Sequence, residues 1–170
     1  MPLPGLPGVS DDRLFEALNA CLLGWALLAL PLAWRPRAWE SFVLALVALF
    51  GLLYVLLLAS ALTTGAVPNG AGFDSLDGVA RLFSSREAVF AGWVHYVGHD
   101  LLAGLWVVKD ARASGVPHWL VAPVILPLAL LAGPAGVLAY LALRAALPAR
   151  WRAAKDEPPR CPFAGKAKAT

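Results

Sequence analysis

In the middle of the run AVFAGWVHYVGHDLLAGLWVVKD, Ala88 to Asp110, His95, His99 and Asp100 stand among apolar side chains. An aspartate and two imidazoles are groups that enzymes use to move protons, and apolar surroundings are how a carboxyl group is tuned for that work near neutral pH. The run is long enough to cross a bilayer, whose hydrocarbon core of about 30 Å takes about 20 apolar residues. A charge at its centre costs about 2.5–3.5 kcal/mol on insertion scales, so an Asp held there faces a protein interior and marks a working site. The plain structural alternative for Asp100 is pairing with a neighbouring histidine or tyrosine, and for the histidines it is hydrogen bonding across helices. His95 and His99 are also four residues apart and share one helix face, the spacing by which a helix offers two imidazoles to a metal such as iron. Further ligands would have to come from Glu16, Asn19 or Tyr54 on neighbouring helices, and of these only the Glu16 carboxylate is a good one.

The elements that must position these groups follow from composition. Hydrophobic residues make up 59% of the 170 and charged residues 15%, with a mean hydropathy of +0.68. An ordinary soluble domain is about 45–50% apolar, so the sequence predicts an integral, multi-pass membrane protein. The net charge of +3 does not mark a nucleic-acid binder, because Lys and Arg fall in loops and in the C-terminal tail, as in membrane proteins. Cys21 and Cys161 form neither a disulfide framework nor a zinc set.

In chain order, residues 1–12 read as a Pro/Gly-rich flexible lead without the basic start and small-residue cleavage site of a signal peptide. A single membrane domain, 13–146, follows. Its expected spans are Leu14 to Trp34, Ser41 to Thr64, Ala88 to Asp110 and His118 to Ala146. The last holds Pro123, Pro127 and Pro134, which predict a kink. Between the second and third, SLDGVARLF reads as a short interfacial helix or an ordered turn. The tail, 147–170, is basic and Pro-rich and reads as disordered. The expected fold is therefore all-α, a four-transmembrane-helix bundle with a kinked fourth helix and a disordered basic C-terminal tail. Most of the 14 Lys and Arg lie in the terminal segments and the middle loop, which by the positive-inside rule predicts both termini in the cytoplasm.

At about 1.5 Å per residue, Asn19, His95 and Tyr140 come out roughly 7–9 Å deep, and Tyr54, His99 and Asp100 roughly 15–17 Å. One polar layer, with His95, Asp100, His99, Tyr54 and Asn19 as its catalytic candidates, is the expectation. Trp106, Asp110, His118 and their neighbours form a secondary cluster near the other face.

Trp93-x-His95 followed by Asp100-Leu101, then Asp110, His118 and Gly133-Pro134-x-Gly136, resembles the abscisic-acid-deficient-like family of small membrane proteins, known in plants for a part in neoxanthin formation. The resemblance extends to Phe73-Asp74-Ser75-Leu76, Leu82-Phe83-Ser84-Ser85 and Gly51-x-x-Tyr54, and covers about residues 14 to 145. His99 stands where the family usually has an apolar residue. The resemblance implies carotenoid or related isoprenoid metabolism, with a lipid-dissolved polyene as partner and Trp93, Gly104, Trp106 and Tyr140 as contacts to it. It implies chemistry of the epoxide-opening or isomerisation type, in which a donor protonates the epoxide oxygen and a base takes a carbon-bound proton. An oxidative variant would use iron on His95, His99 and a carboxylate such as Glu16. From other classes, a proton-linked transport subunit and a non-catalytic pigment carrier, alone or as an oligomer, fit the same residues.

Overall fold

A computed structural model describes residues 10–30, 37–65 and 67–147, and every element among them is a helix. Most of the lead, the turn at Trp34 and Arg35, and the tail beyond residue 147 lie outside the described residues.

The organising element is α5, Arg86–Ser114. The Ser85 hydroxyl starts it by accepting a hydrogen bond from the Ala88 N–H at 3.1 Å. Gly115, in the left-handed region at φ 74, ends it, a conformation that glycine adopts without steric cost. At about 1.5 Å per residue α5 is about 43 Å long, and it packs against α1, α2, α3, α6, α7 and α8.

Helix α3, Arg37–Thr64, runs antiparallel to α5. Their register is fixed by three contacts: Glu40 pairs with Lys109, Phe50 faces Gly98, and the rings of Tyr54 and His95 meet. The residue Ala38 begins a stretch to Thr64 that is long and apolar enough to cross a membrane, with mean hydropathy 2.9 and only 17% of its most apolar window buried. Its Leu, Val and Phe side chains point mostly outward, which suits lipid and not a water-soluble core.

The expected first span divides into α1, Asp11–Leu18, and α2, Cys21–Ala29. Between them the Asn19 and Ala20 N–H groups each bond three residues back, at 3.0 Å. This tight turn falls at an Asn, whose side chain competes with the helical ladder. Together α1 and α2 run parallel to α5, from the Asp12–Arg86 ion pair at 3.4 Å to Trp25 packed over Gly104. The loop segment Leu76–Leu82 is helical, α4, capped by Ser75. Phe73 and Leu76 beside it are 86% and 84% exposed.

The expected kinked fourth span is instead a hairpin of two half-length arms. The first arm joins α6, His118–Leu120, a π-helical turn, Val121–Ile125, and α7, Leu126–Leu131. Pro123 and Pro127 have no N–H to give the ladder, and the wider π turn carries the backbone past them. At Ala132, φ −149 and ψ 61, the helix breaks, and α8, Gly133–Ala146, runs back. Gly136 lies so close to the Ala129 backbone that no side chain fits between the arms. Of the arm that goes in, about 14 residues give about 21 Å, less than a bilayer core. Its tip reaches only the middle of α5, where the Tyr96 hydroxyl donates to the Leu131 carbonyl at 3.3 Å.

Among the described residues one helix, α3, is long and apolar enough to cross a membrane, and the start of the first helix and the end of the last lie at opposite ends of α5. α8 ends beside the C-terminal end of α5, where Arg144 stands 3.3 Å from Asp110, while α1 starts beside the N-terminal end.

Candidate functional site

Two polar pairs at i,i+4 spacing lie on α5, His95 with His99 and Tyr96 with Asp100. They are offset by one residue, about 100° around the axis, so they look onto different flanks. The single polar layer expected from depth is thereby divided in two.

On the first flank Asp100 is only 8% exposed, and its Oδ2 is shut from solvent without a hydrogen-bond partner. Its carboxyl lies against Gly133, where any Cβ would overlap it. A helix start carries partial positive charge, and here the start of α8 is what meets the carboxyl group. Tyr96 stands one turn earlier on the same face of α5, and its hydroxyl donates to the Leu131 carbonyl. That carbonyl is available because the helix breaks one residue later.

Asp100 lines a groove of about 380 Å³ walled by Phe15, Asn19, Trp25, Trp93 and Leu130. A second space of about 390 Å³ shares Phe15 and Trp93 with it and continues to Asp12 and Arg86. Three rings form a ladder along this wall: Phe15 stacks on Trp93 at 6.2 Å, and Trp93 on Tyr96 at 5.5 Å. From Arg86 to Asp100 the path along α5 is about 21 Å. Such a groove admits a long, flat, apolar molecule and meets it at one end with a carboxyl group, a phenol and the Asn19 amide. Asn19 from the α1–α2 turn and Trp93 thus line the same groove as Asp100.

On the second flank His95 meets Tyr54 with ring centroids 5.3 Å apart. His99 stacks on His95 at 4.0 Å and 18°, and its Nδ1 contacts the His95 carbonyl oxygen at 3.0 Å. Two rings laid face to face do not aim their nitrogens at one point, as chelation requires. Glu16 sits on the exposed side of α1, and among the described residues no three His, Cys, Asp or Glu side chains group as metal ligands.

The remaining candidates belong elsewhere. Tyr140 is fully buried, but its hydroxyl donates to Asp110, far from the Asn19 level, because α8 runs opposite to the expected direction. Trp106 meets Tyr140 edge-on at 5.7 Å, so both join the secondary cluster with Asp110, Ser114 and Arg144. His118 contacts the Ala29 carbonyl oxygen at 3.0 Å at the end of α2. Gly104 makes room for the Trp25 indole and is covered by it. Sequence reasoning missed Tyr96, although the same-face spacing that joined His95 to His99 joins it to Asp100. It also missed Phe15, Trp25 and the contact of Gly133 with Asp100, which only the hairpin creates.

Residues 13–140 match the family model described as ABA DEFICIENT 4-like. No curated protein and no solved structure matches the chain.

Proposed function

The chain belongs to the ABA DEFICIENT 4-like family, and from that premise we propose that it is a membrane protein of carotenoid or related isoprenoid metabolism that performs proton transfer on a lipid-dissolved polyene in the Asp100 groove. The observation that carries this reading is the Asp100 carboxyl, unpartnered at Oδ2, set in an apolar, ring-lined groove. A buried polar atom without a partner is rare in a folded protein and calls for a reason. A substrate oxygen or carbon-bound proton supplies one.

The polyene enters sideways from lipid, with its conjugated chain along Phe15, Trp93 and Tyr96 and its oxygenated end ring at Asp100. In an epoxide opening, a proton delivered to the oxygen breaks one C–O bond, and a proton lost from carbon forms the new double bond. Atoms are conserved and nothing is oxidised. Tyr96 donates its hydroxyl proton to the epoxide oxygen, Asp100 takes the carbon-bound proton and passes it to the Tyr96 phenolate to reset the site, and Asn19 orients the ring by hydrogen bonding. General acid–base groups contribute about 10²–10⁴-fold. Asp100→Asn, expressed at normal level in a carotenoid-producing host, is expected to lose conversion by about a hundredfold or more, read by pigment chromatography. An unchanged pigment profile would sink the assignment.

One feature favours a second reading, a proton-linked transport subunit. The half-helix hairpin whose reversed arm starts at Asp100 is of a kind that ion-coupled transporters use at the membrane midplane. Proton flux in reconstituted vesicles that vanishes in Asp100→Asn, with no pigment conversion, selects that reading.

A further inference from the structure

The opposite flank of α5 holds a cleft that the chemistry above leaves unused. Tyr54 and Leu58 of α3 face Ala88, Gly92 and His95 of α5, and Phe83 from the end of α4 closes the outer side around about 320 Å³. A narrower space of about 100 Å³ continues past the same Tyr54 and His95 toward Gly98. Tyr54 stands ten residues before Thr64, about 15 Å along the helix most suited to crossing a membrane. At that depth there is no water to satisfy a polar side chain.

Two polar groups line this cleft, the half-buried Tyr54 and the exposed His95. The Tyr54 hydroxyl makes no hydrogen bond to a described residue, and the His95 ring makes only ring contacts, with Tyr54 and His99. His99 differs, since its Nδ1 is engaged by the His95 carbonyl. A phenol and a neutral imidazole can each both donate and accept, which matches a hydroxyl or carbonyl oxygen. Among the described residues Glu87 is the only charged side chain lining the cleft, and it disfavours an anionic head group. We propose that this cleft is a second lipid site, which holds a neutral isoprenoid by a hydroxyl or carbonyl oxygen set between Tyr54 and His95, with α5 as the partition from the Asp100 groove. The site rests on the membrane reading above but not on proton transfer at Asp100.

The test is a titration of the full chain in lipid nanodiscs with all-trans-retinol, followed by energy transfer from Trp and by bound retinol per chain. Val97→Trp fills the Asp100 groove, which Val97 lines, and isolates the second site. The Val97→Trp protein is expected to bind one equivalent. Adding Tyr54→Phe with His95→Leu weakens that equivalent at least tenfold, and adding Ala88→Phe, which fills the cleft without touching either polar group, does the same. Circular dichroism checks that each variant keeps its helices. Binding absent in Val97→Trp, or present and indifferent to both additions, overturns the proposal. Loss of pigment conversion in Asp100→Asn, with the second equivalent retained, separates the two sites.

Discussion

At Asp100 the decisive neighbour is a glycine. Gly133 Cα is held against the carboxyl so closely that a methyl group there would lie 2.7 Å from the Asp100 Cγ. Gly133→Ala must therefore push the carboxyl out of its place or open the hairpin tip. A displacement of about 1 Å at a reacting group can cost about a hundredfold in rate, and overpacking costs about 1–3 kcal/mol. Pigment conversion in Gly133→Ala is expected to fall by about that factor while circular dichroism shows the helices retained. Conversion at the level of the unsubstituted protein would mean that the carboxyl does not need this position.

The α7–α8 hairpin places both Gly133 and Tyr140. Its arms touch where Gly136 meets Ala129, with the two backbones in contact. A Cβ at 136 has no flexible neighbour to displace, so Gly136→Ala is expected to lose about 3 kcal/mol, seen as a lower thermal midpoint in detergent. The same substitution at Gly51, where an added Cβ would have nothing within 4 Å, is expected to leave the midpoint unchanged or raise it slightly, since alanine favours helix over glycine by about 1 kcal/mol. Equal effects at the two positions would show that the arms are not packed this closely.

The hairpin also sets how the whole molecule lies in a membrane. Because α8 returns to the C-terminal end of α5, Lys109, Arg112 and Arg144 share that end, and Arg150, Arg152 and Lys155 follow in the sequence. At the other end stand Arg13, Arg81 and Arg86, beside more acidic residues such as Asp12, Asp77 and Glu87. If the chain spans a membrane as proposed, the positive-inside rule predicts the end with α8 in the cytoplasm and the start of α1 on the far side. Reporters fused after the tail and before α1 are expected to score on opposite sides. Both scoring as cytoplasmic would restore the orientation expected from sequence and deny the hairpin.

The sequence by itself determined the helical class, the apolar character of the span from Ser41 to Thr64, the family, and the isolation of Asp100 and the histidines among apolar residues. These depend on composition, short-range periodicity and local motifs. It also determined that Pro123, Pro127 and Pro134 would disturb the last helix, because a missing N–H is a local fact. Only the tertiary structure decided how large that disturbance is: a bend keeps the chain's direction and a reversal does not, and the choice rests on whether Gly136 finds Ala129 and Gly133 finds Asp100. Packing of α1–α2 against α5 brought Asn19 into the groove with Asp100, and packing of α3 left His95 with Tyr54, since which flank of a helix a neighbour covers is settled by contacts between residues distant in the chain.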